Sequence, residues 1–99
     1  MKVFAIGLAD KPVTPEEKKK YMPTEVPATL RLYLDGKMDQ YWFHLNQEKP
    51  GVVFLLNAES ITQAEAIVAD LPLAKDGLLK FNFIPVGPLM PLGSLIQGK

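Results

Sequence analysis

A chain of 99 residues has room for one domain, and alone it buries only a modest share of the surface that its unfolded form exposes. Its 11 lysines and arginines are balanced by 11 aspartates and glutamates, so the attraction that dominates nucleic-acid binding and draws proteins to anionic membranes is missing, and neither partner is expected. Cysteine is absent, which excludes disulfides and thiolate metal sites and suits a cytoplasmic protein.

Residues 2–9 read as a first strand, too short to span a bilayer and without a small-residue cleavage pattern. Thr14-Pro15-Glu16-Glu17 is a capping box with proline at the first helical position, so a helix starts at Thr14, with Lys18, Lys19 and Lys20 on its solvated side. Pro23 disfavours helical geometry at Met22, and Thr24 can recap a second segment with Pro27 in its first turn. The spacing therefore predicts a kinked or split helical region that resumes through Leu30 and Leu34 and stops at Asp35-Gly36. Residues 37–45, rich in aromatics, form a second strand, and Pro50-Gly51 turns into a third over 52–57. Ser60 caps a second helix with Gln63 three positions on; Ala64, Ile67, Val68 and Leu71 recur at helical spacing until Pro72 ends it. A fourth strand over 78–86 sets Leu79, Phe81 and Phe83 on one face and Lys80, Asn82 and Ile84 on the other, and 87–99 reads as an irregular tail of the single domain 1–99.

The order βαββαβ is that of a ferredoxin-like α+β sandwich, a four-stranded antiparallel sheet with both helices on one side. In the first strand Val3, Ala5 and Gly7 alternate with Phe4, Ile6 and Leu8, and in the third Val52, Phe54 and Leu56 alternate with Val53 and Leu55. Two helices cover one face only. A strand with its other face in water should be polar at every second position, so the bare face is expected to meet a second copy of the chain, a homodimer or higher homo-oligomer, or to close around an apolar ligand.

Asp35-Gly36-Lys37, Pro50-Gly51-Val52-Val53-Phe54, Ala64-Glu65-Ala66, Leu71-Pro72-Leu73 and Phe83-Ile84-Pro85-Val86-Gly87-Pro88-Leu89 together resemble the muconolactone isomerase-like group of dimeric α+β barrel proteins, with kinship to YCII-like proteins. The resemblance implies a homodimer with a cavity between helices and sheet or between the two sheets. It also implies cofactor-free movement of a double bond in a small lactone by proton transfer. The second strand departs from that pattern, with Asp39 and Phe43 where the isomerase carries basic residues, and the first strand carries Phe4, Ile6 and Leu8 where polar groups belong.

Among single residues, His44 is the only histidine and its imidazole suits proton transfer near neutrality, although a lone histidine beside a hairpin also serves as hydrogen-bonded structure. Lys80 and Asn82 share one strand face and would line the interior of a stacked dimer; an edge lysine that reaches water is the plainer reading. Asp39, Gln40, Tyr41 and Trp42 mix polar and aromatic groups on a strand that could wall a pocket for a flat, oxygen-bearing ligand, Gln40 and Trp42 above all, or pack a core. Glu25, beside the break in the first helical region, could project a carboxylate into a cavity mouth or complement the helix dipole. No serine-hydrolase elbow, glycine-rich phosphate loop or carboxylate cluster at helical spacing is present, and neither cofactor nor metal is expected. The residues leave open a cofactor-free isomerase-type enzyme acting on a small apolar or aromatic-derived compound, a non-enzymatic metabolite-binding or assembly protein, and a cofactor-independent monooxygenase on the analogy of fold.

Overall fold

The computed structural model describes residues 1–46 and 48–87. In chain order these form β1 (Lys2–Leu8), α1 (Pro15–Leu34), β2 (Met38–His44), β3 (Gly51–Asn57), α2 (Ile61–Ala69), α3 (Pro72–Lys75) and β4 (Lys80–Val86). The strands make one antiparallel sheet in the order β2-β3-β1-β4. This is the ferredoxin-like α+β arrangement expected from the element order, with one addition. Pro72 does close the α2 region, but it then sits at the first position of α3, where its missing amide hydrogen costs nothing. Of the expected tail, 88–99 lies outside the described residues.

The capping box forms as its residues dictate. The Glu17 amide donates to Thr14 Oγ1 at 3.1 Å and the Thr14 amide donates to Glu17 Oε1 at 2.9 Å. The expected split does not follow, because α1 runs unbroken through both Pro23 and Pro27, and Thr24 donates its hydroxyl back to the Tyr21 carbonyl at 3.1 Å instead of recapping. The reason lies in the faces of the helix. Pro23 and Pro27 are exposed, so water can satisfy the carbonyls their rings leave free, whereas Tyr21, Glu25, Ala28 and Leu32 recur at helical spacing on the opposite, buried or half-buried side. The helix ends where the sequence places its stop: the Lys37 amide donates to the Leu32 carbonyl at 3.0 Å and Gly36 takes φ +75°.

On the helix side of the sheet, Val3, Ala5, Met38, Phe54 and Leu56 pack against Ala64, Val68 and Leu71, all buried. Each large side chain there contributes about 1.5–3 kcal/mol through its removal from water. Gly7 permits the Phe81 ring to lie directly over β1, since a Cβ would stand 2.6 Å from it, and at Gly51 a Cβ would meet the Gly7 carbonyl oxygen at 1.9 Å. The other side of the sheet carries Phe4, Ile6, Leu8, Val53 and Leu55, half-buried, together with Trp42 and Ile84, 46% and 49% exposed. No helix among the described residues covers that side.

Candidate functional site

A bulge in β2 decides what faces the helices. Met38 pairs with Leu56 but Gln40, not Asp39, meets Leu55, so the alternation slips by one residue. Met38, Tyr41 and Phe43 therefore share the helix side, while Gln40, Trp42 and His44 fall on the open face. The rings bear this out: Tyr41 meets Tyr33 of α1 edge-on at 5.8 Å between centroids, and Trp42 lies 6.4 Å from Phe4 on the other side. Asp39, the extra residue, is held by Lys2 and by Asn57, whose amide donates to it at 2.6 Å. The Lys2 ammonium, with Asn57, keeps its carboxyl below the usual range.

Between α1 and the sheet lies a cleft of ≈ 810 Å³. Its floor is Met38, Val52 and Phe54, its roof Met22, Val26 and Leu30, and Tyr41 and Phe43 border it along β2. Leu73 and Leu79 close the inner end. A lining this apolar with few polar groups is the usual make-up of a small-molecule site. At the rim Val26, Leu30 and Phe43 are 56%, 48% and 80% exposed, so the mouth itself is oily. A second depression, of ≈ 110 Å³ between the end of β1 and the start of α1, is far smaller.

One charged-type group lies inside the cleft. Glu25 is only 7% exposed, and its Oε2 has no hydrogen-bond partner. Burial pushes its carboxyl above the usual carboxylate range, opposed by a hydrogen bond from the Leu73 amide at the start of α3. Placement follows from α1. Tyr21, one turn earlier, donates its hydroxyl to Asp76 at 2.7 Å, which pins the first half of the helix to the α3 turn and sets the next inward position, Glu25, over the Leu73 amide.

The other sequence candidates are dispersed. Gln40, Trp42 and His44 sit on β2, Lys80 and Asn82 on β4, at opposite edges of the open face, three inter-strand spacings or about 14 Å apart within one chain. His44 Nδ1 lies 3.0 Å from the Lys49 carbonyl. A carbonyl only accepts, so Nδ1 carries the proton and, in the neutral ring, Nε2 is left as a base. Lys80 is exposed and pairs with Asp10 at 3.4 Å. Sequence reasoning missed Phe43, Met22 and Thr29 as cleft residues; the phase slip at Asp39 that turns Phe43 to the helix side is held by Lys2 and Asn57 and left no signal in the residue order. Among the described residues, no group of three metal-ligating side chains occurs, and no helix is long and apolar enough to cross a membrane.

Eight chains of solved structures match this one. Among them is a 5-chloro-2-hydroxyhydroquinone dehydrochlorinase from Burkholderia phenoliruptrix in complex with 2,5-dihydroxybenzoquinone, at a TM-score of 0.66 and 17% identity over 86% of this chain and 93% of that one. The two chains share the ferredoxin-like α+β fold. At this identity the likeness extends to architecture alone. No family model matches the chain, and no curated protein does.

Proposed function

We propose that this protein binds a small, largely apolar ring compound in the cleft between α1 and the sheet and moves a proton within it, as a cofactor-free isomerase-type enzyme, in a homodimer whose open sheet faces stack. The observation that carries this reading is Glu25, a buried carboxyl with its Oε2 unpartnered, in the lining of an apolar cleft of ≈ 810 Å³. An unpartnered buried carboxyl oxygen costs about 1–3 kcal/mol, a cost that favours the protonated form. A carboxyl raised toward neutrality can also take a proton from one carbon of a ligand and return it to another, conserving every atom. His44, with Nε2 as a base, lies on the open face, so that it, Lys80 and Asn82 would meet ligand in the space between stacked sheets. The dehydrochlorinase complex, with a six-membered dihydroxy ring compound on a similar fold, fits a ligand of this size. A cytoplasmic setting belongs to this reading on the cysteine-free composition.

A second reading, metabolite binding or assembly without turnover, draws on the apolar open face, where the polar candidates keep to the edges. Amide shift mapping with 2,5-dihydroxybenzoquinone and a panel of small aromatic compounds separates the two cavities. Shifts at Met22, Thr29, Val52 and Phe54 support the cleft. Shifts confined to Phe4, Ile6, Lys80 and Asn82 place the ligand between sheets, and a panel without shifts at either removes the small-molecule reading.

A further inference from the structure

The cleft is far longer than one ring, and its two ends differ in charge. Along the roof its lining runs from Lys18 to Leu30, about 18 Å at the rise of an α-helix. Along β2 it runs from Met38 to Phe43, about 16 Å at the rise of a strand. The two walls agree, and a six-membered ring spans less than half of either. Its ≈ 810 Å³ also lies toward the upper end of the about 300–1,000 Å³ that holds a drug-sized ligand. A ring alone would therefore leave much of the apolar wall without contact partners. The exposed rim residues Val26, Leu30 and Phe43 spread this oily surface along the length of the cleft instead of gathering it at one end.

Apart from Thr29, the end at Leu30, Met38 and Phe54 is apolar. The other end, where Pro12, Val13 and Gly51 meet the first turns of α1, holds the one ammonium among the described lining residues, that of Lys18. Lys18 is exposed and enters no ion pair among the described residues. The neighbouring Glu17 carboxylate is turned back onto the Thr14 amide at 2.9 Å, and Glu25 lies buried about 10 Å further along α1, roughly a Debye length away. We infer, resting on the cleft reading above, that the ring compound carries a long apolar arm ending in a carboxylate or other monoanionic group, with ring and arm lying along α1 and the anion at Lys18. An anion there keeps water on its outer side and escapes the desolvation that a charge deeper in the cleft would meet. The arm supplies affinity through its apolar area, and the charge sets the direction in which the compound lies. A short acid cannot both fill the inner end and reach Lys18.

The test uses the full-length protein, 4-nitrophenol as a plain ring, and ω-phenyl acids of increasing arm length: phenylacetate, phenylbutanoate, phenylhexanoate and phenyloctanoate, each beside its matched primary alcohol. Affinities are measured by calorimetry at neutral pH, and the place of binding by amide shifts. Affinity for the acids should rise by about tenfold for every two methylenes up to phenyloctanoate, with shifts spreading from Lys18 and Val52 to Leu30 and Met38. Phenyloctanoate should bind about threefold more tightly than its alcohol at low salt, a margin that should close in concentrated salt. In Lys18→Gln the margin should vanish, while unchanged affinity for the alcohol reports an intact cleft. Affinity that stays flat along the series, or an acid no tighter than its alcohol, or a margin that Lys18→Gln leaves in place, would overturn the acid-ended arm; shifts by 4-nitrophenol at Met22 and Phe54 would then keep the cleft as a ring site. Failure of every probe to bind, 4-nitrophenol included, or shifts confined to Phe4 and Ile6, would overturn the cleft reading and this inference together.

Discussion

The two faces of the sheet are built from the same strands and have opposite fates. Alternate residues of β1 and β3 point to the helices and are buried to the last few per cent, Val3, Ala5 and Leu56 at 0% and Phe54 at 3% exposure, whereas their neighbours Phe4, Ile6, Val53 and Leu55 are equally apolar and only half-buried. Apolarity alone therefore does not say which face is the core. What differs is the distribution of polar groups. The covered face holds one carboxyl, buried in a cleft, and the open face keeps Gln40, His44, Lys80, Asn82 and the Lys2–Asp39–Asn57 cluster to its margins. The first is the composition of a ligand site and the second that of an interface, with an apolar centre and a polar rim.

Substitutions at adjacent positions should separate the faces most strongly. Leu56→Ala, in the covered core, should cost about 2–5 kcal/mol in denaturant unfolding, while Leu55→Ala should cost about 1 kcal/mol or less at high dilution and more as protein concentration rises. A concentration-independent loss at Leu55 would count against pairing through the open face. Next comes Ile84→Glu, which puts a charge on that face; the paired protein should dissociate to a later elution volume, and an unchanged volume would contradict the stacked dimer. His44→Ala should leave the elution volume where it was.

Glu25→Gln sharpens the comparison from the other side. Because burial raises the native carboxyl above its ordinary value near 4.5, the native state binds more protons than the unfolded chain between that value and the raised one. Stability contributed by the group is full below the ordinary value and declines as pH climbs through this window. Glu25→Gln should abolish that decline and melt higher than wild type at about pH 8, by roughly 4–8 °C for each kcal/mol relieved. The smallest effect should be Tyr21→Phe, which removes the hydrogen bond to Asp76 at about 1 kcal/mol and leaves the open face untouched.

Much of this architecture could be read from residue order. The capping box at Thr14, the glycine stop at Gly36, the Ser60 cap and the two faces of β4 are local signals, and local signals fix element ends. The continuity of α1 was not legible, because it depends on Pro23 and Pro27 both facing water while Tyr21, Glu25, Ala28 and Leu32 hold the other side down, a fact of packing rather than propensity. The phase of β2 was hidden for a similar reason: the bulge at Asp39 is held by Lys2 and Asn57 from two other strands. The burial of Glu25 needed the α3 turn, set by Pro72 and invisible as a helix in the sequence.

The central claim is that the chemistry lies under α1, at a carboxyl kept from water. A carbon-detected NMR titration of the Glu25 side chain tests it most directly, first alone and then with 4-nitrophenol present. The midpoint should lie above the ordinary carboxylate range and should move again when the probe is added. A midpoint among the exposed glutamates that the probe leaves in place would contradict it.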